Sequence, residues 1–360
     1  MSEVAAVGSR SPWRVRPDEG TRAPAVLIDA RRALQLVLAG LWLLDGVLQF
    51  QPAMFTPAFS RMLAASAAGN PSVVARPIIW DATLVGHHLA LLNTIFATIQ
   101  LLLGLGIALR PTVRLALAAS VAWSVAVWWF GEGLGGVLNG GAGPLDGGPG
   151  AVISYALLAV LLWPAGRPGA AVPFVAARAV GARAAKALWL VFWLSQAYFA
   201  LTPENRAPRA ASDVITGMEG GEPHWLAAMM RGAASLVEGR GLATSIVLAA
   251  ALVLVAVGVY LPPRAARATL LLAIVLAAVL WVFVQAFGGI LATGATDPES
   301  GPLLALLALA YWPSARPAPP GLAAAADRVA VIPVPAGAAE VPAVQAPAAE
   351  PPADDWGVAG

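Results

Sequence analysis

The 360-residue chain is 59% hydrophobic and only 12% charged, with a mean hydropathy of +0.74 and 22 Lys and Arg against 20 Asp and Glu. A soluble chain of this length would be roughly a quarter charged, so the composition is that of an integral membrane protein. A formal charge of +2 gives no basic face for nucleic acid, the lack of cysteine excludes disulfides, thiolate metal sites and thiol nucleophiles, and three histidines leave little for an imidazole metal cage.

Residues 1 to 31 are too long, too charged and too interrupted by proline for a signal peptide, and read as a disordered cytoplasmic N-terminus. A helix that crosses ~30 Å of hydrocarbon needs about 20 mostly apolar residues. Six runs meet this: 33 to 50, 84 to 109, 113 to 131, 184 to 201, 242 to 261 and 268 to 291. Two shorter runs, 151 to 163 and 302 to 312, each end at a Trp-Pro and follow a Gly-rich stretch able to supply a missing turn. The expected fold is therefore all-α and integral to the membrane, with eight transmembrane helices. It divides into a four-helix unit at 32 to 165, a cytoplasmic linker at 166 to 183, a second four-helix unit at 184 to 313 and a disordered Ala/Pro-rich tail at 314 to 360. Outer loops at 51 to 83 and 202 to 241 carry signs of short amphipathic helices: Thr56-Pro57 reads as an N-cap followed by proline at the first helical position, and His224 to Val237 has an apolar side.

Basic residues orient the chain, because Lys and Arg stay on the cytoplasmic side. Sixteen of the 22 fall on the side of both termini and six on the other, which places a cell-membrane protein with both termini cytoplasmic.

A shift of about 153 residues lays WWFGEGLGGVL (Trp128 to Leu138) over WVFVQAFGGIL (Trp281 to Leu291), and slightly smaller shifts align LWLLDG with FWLSQA and LGIALRP with VGVYLPP. With Trp163-Pro164 and Trp312-Pro313 as a fourth landmark in the same order, the pattern is a tandem of two parallel four-helix repeats.

The alignment exposes an asymmetry. Asp45 falls opposite Gln196 and Glu132 opposite Gln285, so the first half has carboxylates where the second has amides. Asp45, Glu132 and one of His87 or His88 are the candidate ligand-binding residues, all near the outer ends of their helices, with Asp81 and Trp80 just before the histidines. Intramembrane ionisable groups usually face a cavity, although at this depth headgroup water could also solvate them. Adjacent histidines on a helix point ~100° apart, so at most one faces a given ligand. Gly86, Asn93, Ala97, Gln100 and Gly104 share a helical face that is either a pathway lining or, more simply, a packing seam. The Gly-rich segment Gly131 to Gly148 can close over a pocket, and its GEGLGG is no nucleotide loop because a transmembrane helix, not a strand, precedes it. No residue pattern indicates a metal, a nucleotide or a catalytic group.

Four-helix units of this size, with motifs GLWLLDGVLQ and FGEGLGG, resemble the DoxX-like membrane proteins, here present twice, over about 32 to 165 and 184 to 313. That resemblance implies an accessory or ligand-holding membrane subunit rather than an enzyme, contact with membrane redox-complex subunits, and a quinone-like ligand. The rival expectation is a small-molecule or ion transporter built from parallel repeats. It is ranked second because the sixth and seventh spans are nearly free of polar residues at mid-depth.

Overall fold

The computed structural model describes residues 29 to 165 and 172 to 313; the expectations for the N-terminus, the start of the linker and the tail fall outside the described residues. Among these the fold is all-α, with no strand. The first half comprises α1 (Ala30–Leu48), α2 (Pro57–Ala65), α3 (Ser72–His87), α4 (Leu89–Ala108), α5 (Val113–Phe130) and α6 (Ala151–Leu161). After the one-turn α7 (Ala177–Val180) come α8 (Ala182–Ala200), α9 (Ala210–Gly217), α10 (His224–Val237), α11 (Gly241–Gly258), α12 (Pro263–Phe283) and α13 (Ser300–Ala310).

Four helices, α4, α5, α11 and α12, are long and apolar enough to cross a membrane. Only 28% to 39% of their apolar windows is buried within the protein, and Leu115, Leu102, Val247 and Val275 are among the large side chains left exposed. Such a broad apolar surface is what lipid would cover. Helices α1 and α8 have the length, 19 residues each, but carry Arg31, Arg32 and Asp45, and Arg183 and Lys186, respectively. Helices α6 and α13 have only 11 residues, a rise of about 16 Å.

The outer loops contain the expected amphipathic helices. Thr56 Oγ1 accepts from Ala58 N at 3.3 Å ahead of Pro57, and α10 spans His224–Val237 as its apolar spacing predicts. One boundary differs from expectation. The apolar run from 84 is divided at His88, whose φ of −124° and ψ of 36° leave the helix. The division falls where sequence carrying Arg76 and Asp81 gives way to the uncharged α4.

Helix α1 packs on α4, α8 on α11, and the two short helices lie against each other between α5 and α12. The α1–α4 contact is close because small residues permit it. A Cβ on Gly104 would stand 2.8 Å from the Ala39 carbonyl oxygen and 2.6 Å from Leu43, and one on Gly46 would meet Leu101 at 2.7 Å. Asn93 donates to the Gln49 carbonyl and accepts from the Gln49 amide, so the face carrying Asn93, Ala97 and Gly104 is a packing seam. Gly86, exposed on α3, lies outside it. Around the short helices, Trp42, Tyr155, Trp189, Trp193 and Tyr311 are almost fully buried.

At one end of the bundle, basic side chains satisfy the carbonyls that helix C-termini leave free. Arg32 donates to the Ile107 and Ala108 oxygens at the end of α4, Arg31 to Ala165, and Arg114 to Pro164. Segment 172–180 packs there as well: Phe174 stacks on Tyr311 at 5.1 Å, and Ala176 N donates to Ala310 O.

Gly104→Val should drive α1 from α4 and destabilise the protein by about 1–3 kcal/mol. Gly40→Ala, on the same helix as Ala39 but with open space around it, should be neutral or stabilising. Thermal unfolding of both variants in detergent checks this pair of outcomes.

Candidate functional site

Helices α1, α4, α5 and α6 do not fill the space between them at the end remote from the arginines. They enclose a cavity of about 270 Å³, with Phe59, Met62 and Leu63 of α2 along one side. Its walls are mainly aromatic and aliphatic: Trp42 and Tyr155, with rings 4.2 Å apart, and Phe96 and Trp123, 5.7 Å apart, stand among Val127, Phe130 and Val152. Met62 is 44% exposed and marks the rim, with half-buried Asp81 nearby.

Several residues of this lining carry buried polar atoms that make no regular hydrogen bond. Asp45 Oδ1, Gln100 Oε1, Trp123 Nε1, Glu132 Oε2 and Tyr155 Oη are all buried without a hydrogen-bond partner. Asp45 is 2% exposed, and it interacts with Tyr155 without the geometry of a normal hydrogen bond. Buried polar groups are nearly always paired, so five unpaired atoms around one cavity are unusual. Trp42 is anchored differently, its Nε1 donating to Ser120 Oγ at 3.0 Å.

The local backbone explains how Glu132 is presented. The chain leaves α5 at Gly131 and runs through four residues with left-handed φ, Gly133 at 56°, Leu134 at 58°, Gly135 at 58° and Gly136 at 72°. Glycine is required at Gly135, where a Cβ would lie 1.8 Å from the Pro149 oxygen. Trp128 Nε1 donates to that same oxygen, which ties the loop back onto α5. The result sets Glu132 Oε1 at the N-terminus of α6, accepting from Val152 N at 3.1 Å, and leaves Oε2 toward the cavity. A carboxylate at this end of a helix is favoured by the helix dipole.

Of the residues singled out in the sequence, the fold brings Asp45, Glu132, Asp81 and Gln100 to the cavity wall. It does not bring the histidines. His87 ends α3 and His88 occupies the break before α4; both are exposed, and His87 Nδ1 pairs with the Thr83 carbonyl at 2.8 Å. Neither is part of the cavity lining. Sequence reasoning missed Tyr155, Trp123 and Asp297 as members of the site. The first two look like ordinary core and interfacial aromatics, and Asp297 belongs to the other half.

Asp297 arrives through an exchange of loops. The segment between α12 and α13 extends over the first half, where Gln51 donates to the Ala295 oxygen and accepts from Gly294 N, and where Thr296 and Asp297 join the cavity lining. Conversely, the segment between α5 and α6 extends over the second half, with Asn205 donating to Ala142 O at 2.8 Å and Pro144 and Gly148 lining a cleft there. That cleft is almost filled, about 10 Å³, by the residues aligned with the first site: Gln196 opposite Asp45, Leu252 opposite Gln100, Leu276 opposite Trp123 and Leu304 opposite Tyr155. A wider groove of about 540 Å³ on the second half is almost wholly apolar and contains no ionisable residue.

Burial pushes the Glu132 carboxyl up to about 8, with the nearby Asp297 adding to the effect and the N–H groups of Val152 and Ala151 opposing it. Burial likewise raises Asp297, which accepts from Glu299 N at 2.7 Å and from the Thr296 hydroxyl at 3.0 Å, and raises Glu299, which Asp297 and Glu132 push further. No group of three or more His, Asp or Glu among the described residues is arranged to hold a metal ion.

Because its folded-state value lies above the ordinary 4.5, Glu132 holds its proton more tightly in the native protein, and stability falls as pH rises through the window from about 4.5 to about 8. The wild type should therefore lose several degrees of thermal stability relative to Glu132→Gln across that window, with little relative change below pH 4. A pH series of melting curves on the two proteins tests the sign. The chain matches no protein-family model, no curated protein and no solved structure, so the geometry of this cavity carries the functional reading.

Proposed function

We propose that the chain is a multi-pass protein of the cell membrane, two parallel four-helix repeats with both termini cytoplasmic, whose first half holds a small, mainly apolar ligand. On this reading it is an accessory membrane subunit of DoxX-like type, not an enzyme. The observation that carries the reading is the cavity itself. Its lining is mainly apolar with a few polar groups, as in a small-molecule site, and five residues of that lining carry buried polar atoms that make no regular hydrogen bond.

Several features support the two-repeat architecture. The order long helix, two amphipathic helices, two long apolar helices, left-handed turn, short helix occurs twice. The turn at Ala286 to Gly289 repeats the φ signs of Gly133 to Gly136, and Trp281 Nε1 bonds Pro298 O at 2.8 Å as Trp128 bonds Pro149. In an eight-span arrangement, α1 and α8 cross despite their charges, and α6 and α13 cross together with the Gly-rich segments before them. The arginines gathered at one end then face the cytoplasm, and the cavity opens toward the outer leaflet. The resemblance to DoxX-like proteins makes a quinone-like molecule one ligand to test.

Transport is the weaker reading. Alternating exposure of a site between two rocking halves calls for polar groups in both, whereas the second-half cleft is closed and lined largely by leucines.

Native mass spectrometry of the gently solubilised protein should detect a lipid-soluble species bound to the wild type and absent from Ala126→Phe, which fills the cavity without touching the packing seam. Saturable flux of a substrate through the purified protein in liposomes would favour transport instead. For orientation, a single cysteine at Ser235 should react with an impermeant thiol reagent applied from outside intact cells, and one at Thr112 should not. The reverse pattern would invert the assigned topology.

A further inference from the structure

The charge in the cavity wall narrows the ligand class. We infer that the cavity is built for a lipophilic organic cation, a hydrophobic amine or quaternary ammonium, whose positive head lies against Asp45, Glu132 and Asp297; the inference rests on the ligand-holding reading above.

Among the described residues four carboxyl groups line the cavity, Asp45, Glu132 and Asp297 with Asp81 at the rim, and no Lys, Arg or His does. Basic residues at the arginine-rich end are engaged with carbonyls, as with Arg31 and Arg32, or with Asp29, as with Arg178, and none reaches across the bundle. Buried carboxylates are ordinarily paired, because an unpaired ionised group in a low-dielectric setting costs several kcal/mol. Among the described residues no ion pair involves Asp45, Glu132 or Asp297, and Glu132 Oε2 has no hydrogen-bond partner.

The rest of the lining suits the same guest. Trp42, Trp123, Tyr155 and Phe96 supply four aromatic rings to the lining, and ring faces attract a desolvated cation through their quadrupoles. A neutral quinone offers only acceptor oxygens, which Trp123 Nε1 and Tyr155 Oη can serve, whereas Asp45 and Glu132 can donate to it only in their protonated forms. The closed cleft in the second half supplies a comparison within the molecule. The positions aligned with Asp45 and Glu132 hold Gln196 and Gln285, and Gln285 Nε2 donates to Ser300 Oγ at 2.8 Å while its Oε1 is buried without a partner. The second half thus folds with neutral amides at both positions.

Binding of a permanent cation should be linked to proton release. The groups facing Glu132 are Asp45 on α1, Tyr155 on α6, Asp146 in the loop before α6, and Asp297 and Glu299 in the loop before α13, with Asp81 of α3 at the rim. Asp297 raises Glu132, and Asp297, Glu132 and Asp146 raise Glu299, so these loop acids favour one another's protonated state in the empty cavity. A cation reverses that preference, ionises the carboxyls, and binds better as pH rises.

Equilibrium dialysis of the full-length protein in phosphatidylcholine nanodiscs tests this with three probes: benzyltriethylammonium, a short-chain ubiquinone and phenylbutyrate. The cation should bind saturably, with affinity rising on the order of tenfold or more from pH 6 to pH 8.5. Glu132→Gln should weaken it about tenfold and flatten the pH dependence, Asp45→Asn should weaken it comparably, and Gln285→Ala should leave it unchanged. Should Glu132→Gln fail to insert, Asp45→Asn carries the test alone. Binding of the quinone in an Ala126→Phe-sensitive manner without binding of the cation overturns the inference and leaves the ligand-holding reading standing. Preference for phenylbutyrate, or cation binding indifferent to pH and to both carboxyl variants, also overturns it. If no probe binds and no native ligand copurifies, both readings fail.

Discussion

An 11-residue helix reaches about 16 Å, half the thickness of a bilayer's hydrocarbon, and two such helices, α6 and α13, stand at the centre of this bundle. In the eight-span arrangement proposed above, the rest of each crossing is completed by irregular backbone, which a membrane protein tolerates only where it is buried in protein or lines a cavity. Here glycine and left-handed turns do that work. Each Gly-rich segment is tied by a tryptophan to its own long helix and then passes over the opposite half, so the two halves cover one another. The cavity is a consequence of this layout, formed where α6 stops and Glu132 folds back to its first turn.

The same layout makes the two halves unequal. In the second, leucines and a glutamine close the space, and Gln285 donates to Ser300 Oγ while its own oxygen stays unpaired. In the first, aromatic rings too rigid to collapse inward hold the space open, and carboxyls take the amide positions. Tyr155 against Trp42 on one side and Phe96 against Trp123 on the other act as props. Rigid aromatic walls with a few convergent polar atoms are the usual construction of a small-molecule site.

Part of the charge follows the helix termini. Arginines at one end cap helix C-termini, where the carbonyls are free and the dipole is negative, and Glu132 at the other end sits at the N-terminus of α6. The outer segments carry both signs, with Arg209 beside Asp213 and Arg231 beside Glu219. The exception is the surplus of carboxyl groups around the cavity, beyond what the single α6 terminus can stabilise, and that surplus is what gives the cavity chemical character.

Composition and hydropathy alone determined the membrane class, the long apolar helices and the two amphipathic loop helices, because burial in lipid demands uninterrupted apolar length and a helix N-terminus demands a cap. Comparison of the halves also located Asp45 and Glu132 as the odd residues of an otherwise neutral pattern. Periodicity could not reveal the break at His88, since the apolar run continues through it, and so the histidines were placed on a face that does not exist. Nor could it assign Asp297 to the cavity. Its neighbours in sequence are loop residues of the second half, and only the crossing of the Gly-rich segments, a matter of tertiary packing between units more than 100 residues apart, carries that carboxyl group to the wall opposite Asp45. Tyr155 and Trp123 were legible as buried aromatics; that their polar atoms are left without partners depends on how four helices fail to fill the space between them.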